Sequence, residues 1–282
     1  MLPLSFEFFP PKTEEQRRQL ARAARKLRAF RPEYVSVTFG AGGSTLSYTP
    51  ETVAMLRRDF GFDAVPHLSC IGGTRAEIAE LLGRYEAMGC TRIVALRGDL
   101  PSGMVRGGDF RYAADLVRFI RERHDRHFRI EVACYPECHP QASDFAADLR
   151  HFAAKVAAGA DAAITQYFFN PDAYFRFVEA ARRLGVTIPI VPGIMPIANV
   201  EQLKRFSAAC GAEIPRWLDR HLERFAGDEE ALRDFAADVV SELCRRLSEG
   251  GAPGFHFYTL NLARPTIAVL ERLGYLPLRA IG

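Results

Sequence analysis

The chain has 282 residues, of which 48% are hydrophobic, 25% charged and 11% aromatic. This is the profile of an ordinary globular protein with material for a large core, and it excludes disordered and fibrous classes. Lys and Arg number 37 against 34 Asp and Glu, a net charge of +3; no Lys/Arg-rich stretch stands apart from helix faces, so neither a nucleic-acid footprint nor a polyanionic ligand is expected.

Short β-rich apolar runs begin at Leu4, Tyr34, Ala64, Arg92, Arg129, Ala162, Ile188 and Gly254. The first seven start 30, 30, 28, 37, 33 and 26 residues apart, the length of a strand, a helix and two loops. The eighth follows after 66, which predicts extra helices before the last strand. Helix punctuation fills the intervals. Thr13-x-x-Gln16 and Thr74-x-x-Glu77 are capping sequences, Thr49-Pro50 and Asn170-Pro171 place Pro at a first turn, and Asn199 opens a run that stops at Gly211. Pro215–Phe225 and Asp228–Gly250 supply the two extra helical segments. The prediction is one domain over residues 1–282, a single (β/α)8 TIM barrel with extra helices between strands seven and eight. A doubly wound open sheet also alternates, but its dinucleotide fingerprint G-x-G-x-x-G should follow strand one; here Phe8-Phe9-Pro10-Pro11 stands there. The glycine-rich Gly40–Thr45 stretch lacks the third glycine and is taken as a tight βα turn.

Two sequence features bear on location and redox state. The longest uncharged run, Leu184 to Val200, has 17 residues and three prolines, short of a membrane span. The opening MLPLSFEFFPP has no charged n-region, so no secretory signal is expected and a cytoplasmic protein is. The six cysteines have no regular spacing and are expected to be reduced thiols. Cys134-x3-Cys138-His139 is the one hint of a metal, but no second ligand pair follows, and no metal is expected.

Barrel strands are apolar on both sides, so polar residues near their C-terminal ends are the informative ones. Glu7 alternates with Phe6 and Phe8, which places it inside the barrel, as an ion-pair partner of an interior Arg or His or as a general acid. Thr38 and His67 fall late in strands two and three, Arg97-Gly98-Asp99 closes strand four, and Thr165-Gln166 closes strand six. Strand five runs into Tyr135-Pro136-Glu137-Cys138-His139-Pro140, a loop stiffened by two prolines. On the next helix Asp148 and Lys155 lie seven apart and share a face; only 4 of the 37 basic residues are Lys. The residues by themselves predict a (β/α)8 enzyme for a neutral or mildly anionic heterocycle, with Glu7 and Asp99 as candidate acids.

The segments SFEFFPPKT, VSVTFGAGGST, PHLSCIG, IVALRGDLP, YPECHP, KVAAGADAAITQYFFN, PGIMPI and FHFYTLN, in this order along the chain, closely resemble the methylenetetrahydrofolate reductases, in the short bacterial form that has the catalytic barrel alone. The resemblance implies bound FAD, NADH or NADPH as hydride donor, and ping-pong reduction of 5,10-methylenetetrahydrofolate to 5-methyltetrahydrofolate for methionine synthesis. It implies Glu7 as the general acid of folate ring opening, and Asp99 beside the pterin and the flavin. Gln166 would contact the substrate, and Phe206 would pack on the nicotinamide or the folate. Thr38, His67, Leu96, Arg97, Gly98, Tyr112, Ala113, Tyr135, His139, Asp148, His151 and Lys155 match FAD-holding positions, with Arg97 and Lys155 answering the pyrophosphate and Asp148 a ribose hydroxyl. Where relatives continue FHFYTLN with Arg this chain has Leu262, and Arg264, two residues on, is expected to take over that role. His151 and Ala154 stand where Asn and Arg occur in some relatives, and Leu46 and Tyr48 where charges are common. The choice of nicotinamide and formation of a homo-oligomer stay open. Two alternatives remain: another (β/α)8 flavin- or phosphate-dependent enzyme of pterin or one-carbon chemistry, which release of FAD from the protein would disfavour, and a binding subunit without turnover, which NADH oxidation with menadione would exclude.

Overall fold

The computed structural model describes residues 1–39, 48–98, 108–225 and 227–278. Parallel strands β1 (Leu4–Phe8), β2 (Tyr34–Val37), β3 (Ala64–Ser69), β4 (Arg92–Leu96), β5 (Arg129–Cys134) and β6 (Ala162–Thr165) pair in chain order. The sheet continues from β6 to β7 (Ile190–Val191), and at its other edge from β1 to β9 (Phe255–Tyr258) and on to β8 (Gly193–Ile194). The two edges are therefore consecutive stretches of chain, and the sheet closes into a barrel through Pro192. Thus β7 and β8 are the two halves of the predicted seventh strand, which starts two residues later than expected.

The interruption has a local cause. Pro192 has no N–H to give to a ladder, although its carbonyl accepts from His256 N at 3.1 Å. The next N–H, of Gly193, turns to the Thr165 side chain at 2.9 Å. Position 193 admits no side chain: an added Cβ would lie 2.2 Å from the Thr165 carbonyl oxygen and 2.6 Å from the Tyr258 ring.

Four helices begin at the caps the sequence predicts, Thr13, Thr74, Asn170 and Asn199. On α1 (Glu14–Arg28) Thr13 accepts from Gln16 N, and on α3 (Arg75–Ala87) Thr74 and Glu77 form a reciprocal capping box. The helix α6 (Pro171–Arg183) follows Asn170 with Pro at its first position. The outer layer also holds α2 (Tyr48–Phe60), α4 (Ala113–His124), α5 (Phe145–Ala157), α7 (Val200–Cys210) and α10 (Ala263–Arg272). The long interval before β9 adds α8 (Arg216–Arg224) and α9 (Glu229–Glu249), the two extra helices expected there. Among the described residues no helix is long and apolar enough to cross a membrane.

Alternation along the strands sorts the side chains into two compartments. Phe6, Phe8 and Phe257 point outward into the main core with Leu20, Leu27 and Leu56; Tyr34, Val65, Val94 and Ile164 form a separate cluster within the barrel. Toward the N-terminal ends of the strands the interior carries a paired polar cluster. Buried Glu131 accepts from Tyr34 Oη at 2.5 Å and from Arg92 at 3.1 Å, and the Arg92 guanidinium lies 4.2 Å from the Tyr34 ring centre. A buried carboxylate so saturated is a structural group.

Candidate active site

Glu7, one layer nearer the C-terminal mouth than Glu131, is buried but differently placed. Its Oε2 has two imidazole edges near it, His67 Nε2 at 3.5 Å and His256 Nε2 at 3.6 Å, and among the described residues neither of these nitrogens has a hydrogen-bond partner. The interior partners of Glu7 are thus histidines. Burial outweighs the attraction of Glu7 and pushes His67 down to about 4. At neutral pH the imidazole is uncharged, so the 3.5 Å contact is not an ion pair. His256 Nδ1 sits 2.7 Å from Ser5 Oγ, which fixes the ring with its Nε2 edge toward Glu7.

This arrangement has a measurable pH signature. An imidazole depressed from 6.5 to about 4 stabilises the fold fully above the unfolded value, and that contribution is lost as pH falls toward the folded one, because the unfolded chain takes up a proton that the interior refuses. The total is on the order of 3 kcal/mol. His67→Gln is expected to flatten this part of the acid limb in urea titrations between neutral pH and about pH 5; an unchanged slope would mean that the site accommodates the charge.

Tyr258, next to Glu7 in the β1–β9 register's final pair, has its phenol held well above its ordinary value by burial first and the charge of Glu7 second. It stays protonated and donates to the Thr165 carbonyl at 2.7 Å. The rim between β1 and β9 is pinned by Asn261, whose amide exchanges hydrogen bonds with Phe9 N and O at 2.9 and 3.0 Å.

Beside the mouth, between β4, β5, α4 and α5, lies a cavity of about 520 Å³, within the usual range for small-molecule sites. Ten of the cofactor positions expected from the sequence meet in it. Leu96, Arg97 and Gly98 come from the end of β4, and Tyr112 and Ala113 from the start of α4. Tyr135 and His139 come from the loop after β5, and Asp148, His151 and Lys155 from α5. Gly98 has φ +83°, and a Cβ there would lie 1.9 Å from Ser69 Oγ, so only glycine allows this turn.

Both cations are held in place. Arg97 donates to Gln141 Oε1 and to its neighbour's carbonyl, Gly98 O, at 3.2 Å. Lys155 Nζ donates to the Ala133 carbonyl; burial lowers its ammonium from the ordinary value while Asp148 pulls the other way. Asp148 Oδ2 accepts from His139 N at 2.9 Å, which ties the 135–140 loop to α5. That loop also carries Cys138 at φ +102°, a strained conformation of the kind found at ligand sites. Tyr112 and His151 stack across the cavity with centroids 5.4 Å apart and planes at 27°.

The remaining expected residues lie elsewhere. Thr38 sits just past β2, its N–H on Phe8 O and its carbonyl accepting from Thr49 Oγ1. Gln166 follows β6 in a small cleft with Tyr135 and Cys210, its Oε1 accepting from Tyr167 N at 2.9 Å. Phe206 lines a different small cleft with Met195, Gln202 and Leu260. Arg264 is exposed in the first turn of α10, immediately after its N-cap Leu262 and Ala263. Asp99 and the Gly40–Thr45 stretch with Leu46 lie outside the described residues. Sequence reasoning does not single out His256, Tyr258, Gln202 or Gln141. The alternation that places Glu7 applies equally to Phe255–Tyr258 and is the signal for the first two; nothing in the sequence marks Gln141. Among the described residues no three or more His, Cys, Asp or Glu side chains converge as a metal would require.

Barrel, buried carboxyl and lateral cavity together describe a (β/α)8 protein of the enzyme type, with its polar groups at the C-terminal ends of the strands. Residues 2–274 match the family model for methylenetetrahydrofolate reductase. The 5,10-methylenetetrahydrofolate reductase of Salmonella typhimurium is 40% identical over 274 residues, covering 97% of this chain and 91% of that one. The Escherichia coli protein of the same name is 39% identical with the same coverage. The Arabidopsis thaliana protein called methylenetetrahydrofolate reductase (NADH) 1 is 36% identical over 96% of this chain, which spans 48% of it. Among solved structures, a Clostridium thermocellum protein described as binding two copies of 5-methyl-5,6,7,8-tetrahydrofolic acid superposes with a TM-score of 0.65 at 17% identity, covering 97% of this chain and 95% of its own, and supports the fold. The chain belongs to the methylenetetrahydrofolate reductase family and is of its short bacterial type, whose reaction is the reduction of methylenetetrahydrofolate.

Proposed function

We propose that the protein reduces 5,10-methylenetetrahydrofolate to 5-methyltetrahydrofolate with NADH or NADPH in two successive half-reactions at one FAD site, as a single catalytic domain in the cytoplasm supplying methyl groups for methionine synthesis. The observation that carries this reading is the juxtaposition of a buried carboxyl, Glu7, flanked by two imidazoles, with a lateral cavity whose side chains suit FAD. Two cations, Arg97 and Lys155, answer a diphosphate. Asp148 accepts from a ribose hydroxyl through the oxygen that His139 N leaves unused. The Tyr112–His151 stack offers an aromatic wall for adenine, and the glycine at 98 lets the ligand approach the backbone. When bound, FAD supplies the hydride relay between nicotinamide and folate.

The chain's own groups do the rest. Glu7, kept from water inside the barrel, is placed to pass a proton to the nitrogen that leaves when the five-membered folate ring opens. His67 and His256 flank Oε2 at 3.5 and 3.6 Å and border the space around that carboxyl. Gln166 orients the pterin through its amide, Asp99 and Thr38 complete the polar rim, Phe206 packs on whichever planar substrate is present, and Arg264 reaches toward anionic groups of the substrate. The purified protein should release FAD and not FMN, and its visible absorbance should bleach with at least one nicotinamide. A protein that holds FMN, or that no flavin reconstitutes, contradicts the reading.

A further inference from the structure

On α7 the buried residues are Leu203 and Ser207. Ser207 directly follows Phe206, the residue read above as the planar wall for substrate. Its hydroxyl lies 2.9 Å from the hydroxyl of Tyr167, with both residues buried. The Cys210 thiol, one turn further along α7, stands beside the same phenol. Tyr167 in turn directly follows Gln166, and its backbone N–H donates to the Gln166 side chain. The Tyr167 phenol is thus the point at which α7 is tied to the strand ends of the barrel, with Ser207 as its stronger partner, since a thiol bonds weakly. The neighbour on the other side of Gln166, Thr165, is fixed independently by Tyr258 and Gly193. Gln166 is therefore anchored to the barrel, and Phe206 is anchored to Gln166 through a pair of uncharged hydroxyls.

We propose that the Tyr167–Ser207 hydroxyl pair is a positioning link that sets the separation of Gln166 and Phe206, the two residues read above as meeting the folate from the end of β6 and from α7. The inference rests on the reading of the site given above. Neither residue lines the cavity assigned to FAD, so the link acts on substrate and not on cofactor.

The two partners differ in what their loss leaves behind. Removing the serine leaves the buried phenol with only a weak thiol partner, which is costly until α7 shifts or water enters. Removing the phenol frees the serine hydroxyl to turn back to the carbonyl four residues earlier in its helix, that of Leu203, which satisfies it locally. Ser207→Ala should therefore raise KM for methylenetetrahydrofolate about 10-fold and Tyr167→Phe about 3-fold. The double variant should match Tyr167→Phe and not the product of about 30-fold, because the stranded group is gone. In all three, kcat and the FAD content of the purified protein should stay within about 2-fold of the unmutated values.

Steady-state kinetics and flavin content of the three variants and the unmutated holoprotein decide the matter. Non-additive KM values in the stated order support the link. Multiplicative values, or unmutated KM values accompanied only by a lower Tm, overturn it and leave the pair as ordinary packing. Absence of FAD from the unmutated protein overturns the reading of the site and the link with it.

Discussion

Glu7→Gln is expected to retain FAD and to react with the nicotinamide at close to the unmutated rate, yet to slow reaction with methylenetetrahydrofolate by about 100- to 10,000-fold, the usual contribution of a positioned acid. The substitution keeps the volume of the side chain and removes the proton. Hydride transfer from the nicotinamide requires no proton on folate, whereas opening the folate ring requires one on the departing nitrogen. The comparison with Glu131 sharpens the expectation. Glu131, a strand carboxylate deeper in the same barrel, is saturated by Tyr34 and Arg92, and its loss should act on stability. Glu7 faces, among the described residues, two imidazole edges at 3.5 and 3.6 Å in place of a phenol and a guanidinium. Rapid mixing of each half-reaction separates the cases; an unmutated rate with folate would make Glu7 structural and move the acid to Asp99 or to water.

Lys155→Ala is expected to weaken FAD binding about 10- to 100-fold, the range for one charge-assisted hydrogen bond in a partly buried site. The expected result is a largely colourless purified protein that recovers its flavin at high FAD concentration. Lys155 is pinned by the Ala133 carbonyl, and its removal leaves Arg97 as the cation facing a diphosphate. Titration of the apoprotein with FAD and with riboflavin distinguishes the cause. If the variant binds both as the unmutated protein does, the α5 face does not hold the diphosphate.

The barrel and much of its site are legible in the amino-acid sequence, for identifiable reasons. Eight strand starts follow from spacing because a strand, a helix and two loops recur at a nearly fixed length, and seven of them fall within one residue of the observed start. Helix starts follow from side chains that must satisfy exposed N–H groups: Thr13, Thr74, Asn170 and Asn199 all cap as expected. Strand interiors follow from alternation, which puts Glu7 inside and its phenylalanines outside. The split of the seventh strand is legible only in part: Pro192, with no N–H for a ladder, stands in the sequence, whereas the turn of the Gly193 N–H to the Thr165 side chain depends on a residue distant in sequence. The Tyr34–Arg92–Glu131 cluster is hidden for a similar reason: polar residues near the starts of three strands look like loop polarity until the barrel brings them together. The roles of Phe206 and Arg264 come from resemblance alone, and both residues lie away from the cavity that gathers the flavin candidates.

Passage of a hydride from nicotinamide to methylenetetrahydrofolate through FAD in one barrel is tested most directly under anaerobic conditions. The flavin of the purified holoprotein is bleached with one equivalent of NADH or NADPH, the mixture is combined with 5,10-methylenetetrahydrofolate, and flavin absorbance and folate products are followed together. The expected result is that the absorbance returns as 5-methyltetrahydrofolate appears in equal amount. A bleached flavin that stays bleached on addition of methylenetetrahydrofolate, with no 5-methyltetrahydrofolate formed, would contradict it.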